Sequence, residues 1–283
     1  MTPTRTLAGA VSGWLTKRLE AEYVAGSAAG DAASICRKVA ANYGWRSTMA
    51  FWNAHKDAPE WVATRYCQAL RAIISEDLDC HLAIRASALE YDMEWLREIL
   101  DLAREHGVFL HFDSQHPEAA APSLSLLERA VRLYPRLRYT LPARWRRSIA
   151  DAGRLTDLGI GVRVVKGQWP DPDDPGRDPR AGFLELIDTL AGRAAHVGIG
   201  THDASLAKAS LARLQRSGTR CELEQLYGFP AIARDCAEPS GVTVRLYVPY
   251  GNGVMPYALS QIAKEPKVAG WFVRDMVLKG PKV

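Results

Sequence analysis

GVRVVKG, residues 161–167, is a β-branched run that stops on a lysine and a glycine. Similar short apolar runs recur along the chain: CHLAIRA at 80–86, VFLHFDS at 108–114, LRYTLPA at 137–143, HVGIGTHD at 196–203, RCELEQLYG at 220–228 and VTVRLYVPYG at 242–251. RSTMAFWN at 46–53 is a candidate first strand before them. Between the runs, apolar residues take up helical spacing. The clearest case is DMEWLREILDLAREHG at 92–107, with Trp95, Leu96, Ile99, Leu100 and Ala103 on one stripe and Gly107 at the capping position. Strands alternating with helices form a parallel sheet, and a closed parallel barrel gathers every strand's C-terminal end on one face. Arg85, Asp113, Lys166, His202 and Glu224 converge on that face in this reading, which marks the chain as an enzyme.

The 283 residues are 47% hydrophobic, enough for one large core. An α/β barrel uses roughly 250 residues as a single domain. Residues 1–283 therefore read as one domain, with a helical arm over 1–44 and the barrel over 45–283. Two arm helices are expected at 8–24 and 30–42, broken at Gly26 and Gly30. Further helices are expected at 59–74 with Pro59 in the first turn, and at 123–135, 145–159, 183–192 and 204–218. The tail, PYALSQIAKEP followed by KVAGWFVRDMVLKG, reads as one or two helices closing the fold. QWPDPDDPGRDPRA at 168–181 is the longest irregular stretch, readable as a lid or as a plain surface connection.

The net charge of +4 is modest and both signs are interspersed, so nucleic-acid binding is not expected. Five scattered cysteines without a CxxC pair suit reduced thiols in the cytoplasm. No apolar run is long enough to cross a bilayer, which argues against a stable membrane anchor and leaves peripheral association as an option. LAGAVSGWL at 7–15 reads as part of an amphipathic helix rather than a signal peptide.

Several residues carry possible chemistry. Arg163 and Lys166 suit a phosphate-bearing cofactor or an anionic, reduced flavin ring, and Gly167 lets backbone approach a ligand. The bland alternative is surface ion pairing. His202, with Thr201 and Asp203 beside it, makes a polar site at a strand end. No HxH or HExxH spacing is present, and His111 and His116 flank Asp113 without a ligand pattern, so no metal is expected. Asp113 ends a buried strand and needs a partner, for which Arg85 on the preceding strand is the natural choice. Glu222 and Glu224 share one strand face and need cations, available from Lys166, Arg163 or Arg245. Of Tyr247 and Tyr250, the PYG turn favours Tyr250 for ligand contact.

Taken together, IRASAL at 84–89, FDSQ at 112–115, RVVKG at 163–167, GTHD at 200–203, ELEQLYG at 222–228 and RLYVPYG at 245–251 resemble the proline dehydrogenase family, in its order and approximate spacing. YVAG at 23–26 is similar but less diagnostic. The resemblance implies a distorted (β/α)8 barrel, a C-terminal helix over its mouth, bound FAD, and hydride transfer from a carbon next to nitrogen to flavin N5. It implies flavin contacts for Arg163, Lys166, Gly167, Gln168, Thr201 and His202, with Ser114, Pro142 and Glu224 also on the cofactor side. Asp113 matches the acid of the family's IDxE motif, and Arg85 stands where a substrate-side lysine is usual. Asp113 and Arg163 are the residues it suggests for catalysis.

The departures lie on the substrate side. The family's YLxRRLxE helix holds the proline carboxylate with adjacent arginines. Here the segment is YALSQIAK at 257–264: Tyr257 is kept, Ser260 and Gln261 replace the arginines, and Lys264 replaces the glutamate. Ser and Gln cannot supply charge-assisted bidentate bonds to a carboxylate. Pro142 stands where a flavin-contacting glutamine is usual, and Glu224 where glutamine is common. The expected activity is therefore oxidation of a C–N bond in a cyclic amine or modified amino acid other than free proline, in a specialised biosynthetic pathway. A carrier-tethered substrate is possible, and quinone or oxygen is the electron acceptor. Three alternatives stand beside it: a proline dehydrogenase with Lys264 or Arg274 as relocated anchor, a flavin-free binding or scaffold barrel, and a barrel enzyme using Lys166 as a Schiff-base nucleophile.

Overall fold

A computed structural model describes residues 24–229 and 232–252. The elements run α1 (Ala29–Tyr43), β1 (Arg46–Phe51), α2 (Pro59–Ser75), β2 (Cys80–Ile84), α3 (Met93–His106), β3 (Leu110–Phe112), α4 (Ala120–Ala130), β4 (Leu137–Pro142), α5 (Arg147–Asp157), β5 (Gly161–Val165), α6 (Pro179–Leu190), β6 (Val197–Gly200), α7 (Ala204–Arg216), β7 (Cys221–Leu226), α8 (Ala233–Cys236) and β8 (Thr243–Tyr250). The strands pair in parallel in sequence order, and β8 closes on β1 through Arg46↔Arg245 to Phe51↔Tyr250. The result is a closed (β/α)8 barrel, as the alternation of runs predicts.

Local signals set the helix limits. Asp92 accepts the Glu94 N–H at 2.9 Å to start α3, and Gly107 ends it at φ 70°, a conformation that costs a residue with a Cβ. Pro59 opens α2. Two helices differ from expectation. α6 begins at Pro179 rather than 183, because Asp178 caps it and Pro179 fills its first position. α4 spans 120–130 rather than 123–135. The expected helices at 8–24 and over the tail lie outside the described residues.

Strand alternation sorts the side chains into two layers. Outward residues such as Leu82, Phe112, Leu141, Val162, Ile199, Leu223 and Val248 are buried between sheet and helices and make up the main hydrophobic core. Inward residues are largely polar: His81, His111, Arg138, Thr140, Arg163, Glu222, Glu224 and Arg245 are all buried. Buried charge is costly unless paired, so the interior is organised by ion pairs. Near the strand starts, Glu222 takes Arg138 at 2.5 Å and Arg245 at 2.9 Å. One layer up, Glu224 takes Arg163 at 3.1 Å. Gly198, paired with Glu222 on the neighbouring strand, leaves the volume that the Glu224 carboxylate fills.

Candidate active site

A cavity of about 570 Å³ opens at the strand-end face. Its walls come from at least six strand ends, among them Arg85, Asp113, Pro142, Lys166, Thr201, Glu224 and Tyr247. Of the described site residues expected from sequence, only Tyr250 does not reach it.

At its centre lies Arg163. The guanidinium donates to Thr140 Oγ1, at 3.2 Å from Nε and 2.9 Å from Nη2, and to Glu224 at 3.1 Å, and its Nη2 also donates to Asp113 Oδ1. Burial opposes the charge, but Asp113 and Glu224 more than offset it and hold the guanidinium ionised well above its usual range. Asp113 Oδ2 accepts from Tyr247 Oη at 2.5 Å. Burial first, then the Asp113 charge, pushes the Tyr247 phenol far upward, so it stays a donor. Glu224 also has a raised pKa, because burial outweighs the pull of Arg163. Among the described residues its Oε1 is buried without a partner, as are Ser114 Oγ and Gln225 Oε1 lining the same cavity.

Two sequence expectations are corrected. Arg85 is not the partner of Asp113; its guanidinium lies 4.3 Å above the Trp52 ring, and it forms no ion pair with a described residue. Arg163 sits nearer Asp113 because it projects into the barrel axis from β5, whereas Arg85 starts at the rim. Of the three cations offered for the buried glutamates, Arg163 takes Glu224 and Arg245 takes Glu222, with Arg138 beside it, while Lys166 lies past the end of β5, 3.6 Å from Asp203. The two cations of RVVKG therefore line one cavity, but Arg163 is already balanced by two carboxylates. Finally, Tyr250 points outward and packs 5.4 Å from Phe51, while Tyr247 faces the cavity. Tyr257, Ser260, Gln261 and Lys264 lie outside the described residues.

The remaining residues are held by their strand ends. Leu226 N–H donates to His202 Nε2 at 2.9 Å, and the ring packs 5.1 Å from Phe229. Thr201 Oγ1 accepts the Asp203 N–H, and Asp203 in turn caps α7. Gly167 has φ 86°, and a Cβ there would come within 2.7 Å of Pro142 Cβ. The bare Gly167 backbone beside the Pro142 ring leaves a smooth apolar wall for a flat heterocycle. With the unpartnered buried oxygens of Ser114, Glu224 and Gln225 in the same lining and the half-exposed Lys166 beside Gly167, these residues fit a flavin ring and a phosphate-bearing tail. Thr140, Trp52, Gln225 and Trp169 also line the cavity and were missed in the sequence. Strand parity marks Thr140, two residues from Arg138 and Pro142; nothing local marks the others.

No family model matches the chain. It is 25% identical over 234 residues to proline dehydrogenase 1 of Bacillus subtilis subsp. natto, covering 77% of this chain and 76% of that protein. It is 20% identical over 225 residues to proline dehydrogenase 2 of Bacillus subtilis (strain 168), covering 75% and 74%. Among solved structures, proline utilization A (PutA) of Bdellovibrio bacteriovorus, inactivated by N-propargylglycine, superposes with a TM-score of 0.73 at 16% identity over 89% of this chain. The chain spans about a third of that protein, 33% of its length, and the likeness is one of fold.

Proposed function

We propose that this chain, a divergent member of the proline dehydrogenase family, oxidises the CH–NH group of a small molecule with FAD held at the strand-end cavity. The observation that carries this reading is the pairing of a flat wall, Gly167 against Pro142, with a buried polar side that keeps unpartnered oxygens on Ser114 and Glu224. FAD, when bound, supplies an acceptor for the electrons of a C–H bond.

The chain's own residues bind, orient and exclude water. Lys166, Gln168, Thr201 and His202 hold the cofactor side. Arg163 supplies a fixed positive charge whose position is set by three neighbours, so little reorganisation is needed during reaction. Asp113 locks Tyr247 and Arg163 in place, and its oxygens keep lone pairs for a substrate N–H. Trp52 and Tyr247 wall the substrate side.

The substrate we infer is a cyclic amine or modified amino acid whose acid group is masked, because Ser260 and Gln261 stand in place of a carboxylate clamp. Such a substrate belongs to a specialised biosynthetic route, with a carrier protein as one means of masking. Quinone or oxygen is the proposed acceptor, and the cytoplasm the proposed location. One observation favours a second reading: Arg85, lining the cavity without an ion pair among the described residues, can hold a free carboxylate itself.

A visible spectrum followed by anaerobic titration separates these. Bound flavin bleached by prolinamide or proline ester, but not by proline, supports the masked substrate. Bleaching by proline that is lost in Arg85→Met supports the second reading. A colourless protein that takes up no FAD refutes both.

A further inference from the structure

The opposite end of the barrel holds a second cavity, of about 340 Å³, bounded by the starts of β1, β2 and β4 and by β8. Four arginines line it: Arg46, Arg136, Arg138 and Arg245. Two carboxylates answer them. Glu222 takes Arg138 and Arg245, and Asp79 takes Arg46 at 2.9 Å and lies 3.7 Å from Arg245. Arg136 has no carboxylate among the described residues; it donates to the Gly107 carbonyl at 2.7 Å and lies 5.5 Å from the Phe109 ring. Arg138 approaches the same ring at 5.1 Å.

Two guanidinium groups in excess of carboxylate at one cavity is a poor arrangement for stability alone. Arg245 and Arg138 are 1% and 7% exposed and share Glu222, Arg245 donating also to the Ser47 carbonyl at 2.6 Å, so the excess charge falls on Arg46 and Arg136 at the exposed mouth of the cavity. A second observation points the same way. His81, 3% exposed, lines this cavity, and its Nδ1 is buried without a partner among the described residues. Burial, then Arg245 and Arg138, keeps the imidazole neutral, so it can offer a neutral N–H beside the arginines.

We propose that this base-face cavity binds a dianionic phosphate group, as inorganic phosphate or a small phosphomonoester, through Arg136, Arg138 and His81. Arginine forks match phosphate oxygens in bidentate geometry, and two excess charges match a dianion. The site is independent of the cofactor assignment at the other face. The two cavities share no lining residue, and the buried layers of Glu222 with Arg138 and Arg245 and of Glu224 with Arg163 fill the barrel interior.

The test uses the full chain, saturated with FAD where FAD binds, and inorganic phosphate or glycerol phosphate as probes in calorimetry and thermal unfolding at fixed ionic strength. One saturable site that raises the melting temperature is expected. Arg136→Gln, an exposed substitution with no acid partner to strand, should weaken binding about tenfold, while Lys166→Gln at the opposite face leaves it unchanged. Tighter binding of glycerol phosphate assigns an organic phosphate; equal or tighter binding of inorganic phosphate assigns the free ion. No saturable binding, equal affinity in Arg136→Gln, or loss in Lys166→Gln overturns the proposal. Should Arg136→Gln fold poorly, Arg136→Lys keeps the charge but not the fork, and a severalfold loss is expected there too.

Discussion

Asp113 shows how much one partner choice decides. With Arg85 as partner it would be a rim salt bridge; with Arg163 and Tyr247 it fixes the centre of the cavity. Tyr247→Phe removes one hydrogen bond to a carboxylate, worth about 1.5–3 kcal/mol. Turnover should fall roughly 10–100-fold in kcat/KM with flavin content unchanged. Tyr250→Phe, facing the helices, should leave kinetics alone. The reverse pattern would reinstate Tyr250. Parity was the available signal: Arg245 and Tyr247 share a strand face, and Tyr250 lies on the other. The PYG turn suggests Tyr250, but alternation is the stronger constraint and brings Tyr247 to the cavity. Glu224 offers a second contrast. Burial raises its pKa above the ordinary value, yet the carboxylate pairs with Arg163 at 3.1 Å and leaves Oε1 to accept from a ligand. Glu224→Gln keeps an acceptor oxygen but removes one of the two charges that balance Arg163, and should lose less FAD affinity than Glu224→Ala, which removes the acceptor as well and should cost about 1–3 kcal/mol. Equal losses in both variants, read by flavin titration, would remove the acceptor role.

The loop over 166–178 is decided at the level of elements. Asp171 is 5% exposed and accepts from the Arg146 N–H at 2.6 Å and the Asp173 N–H at 2.9 Å. Trp145 Nε1 donates to the Trp169 carbonyl at 3.0 Å, and Arg146 pairs with Asp174 at 2.8 Å. The loop is thus stapled to the start of α5, with Trp169 on the cavity wall. Hydrogen bonds of this kind favour a fixed wall over a moving lid. Asp171→Ala should cost about 1–2 kcal/mol, as loss of a cap does, and should open the 166–178 segment to protease before the barrel unfolds. Unchanged proteolysis would show that the staple is not what holds the loop. None of this was readable from QWPDPDDPGRDPRA, because a buried aspartate among four looks like its exposed neighbours. Strands were legible, since β-branched runs have no competing helical period. The runs pass the strand ends by one to three residues because the last residues of each run serve the site rather than the ladder: β6 stops at Gly200, while Thr201 and His202 turn into the cavity.

A whole barrel whose interior is polar should respond to acid differently from one filled with aliphatic layers. His81, His111 and His196 all sit in the lower interior. Each has its pKa depressed, first by burial and then by arginines, among which Arg138 acts on all three. His196 is lowered to about 4, and the other two lie well below their ordinary value. The native state holds these rings neutral, so the unfolded chain binds more protons below about pH 6.5. Their stabilising contribution is complete above that pH and is lost as pH falls through the window from 6.5 toward 4. For His196 the loss saturates near 3 kcal/mol, and three such groups together give a slope approaching about 4 kcal/mol per pH unit at the acid end. Glu224 works against this, since its raised pKa favours proton binding by the native state; Glu222, lowered to about 2 under Arg245 and Arg138 despite its burial, adds a loss below pH 4.5. With total stabilities of about 5–15 kcal/mol, losses of this size make the fold acid-sensitive. Urea midpoints measured from pH 7.5 to 5 should fall steadily, and His196→Gln should flatten the curve by about one proton. A flat wild-type curve would mean that the imidazoles carry their protons inside the barrel, paired with Glu222, and that the arginines do not set the charge of this interior.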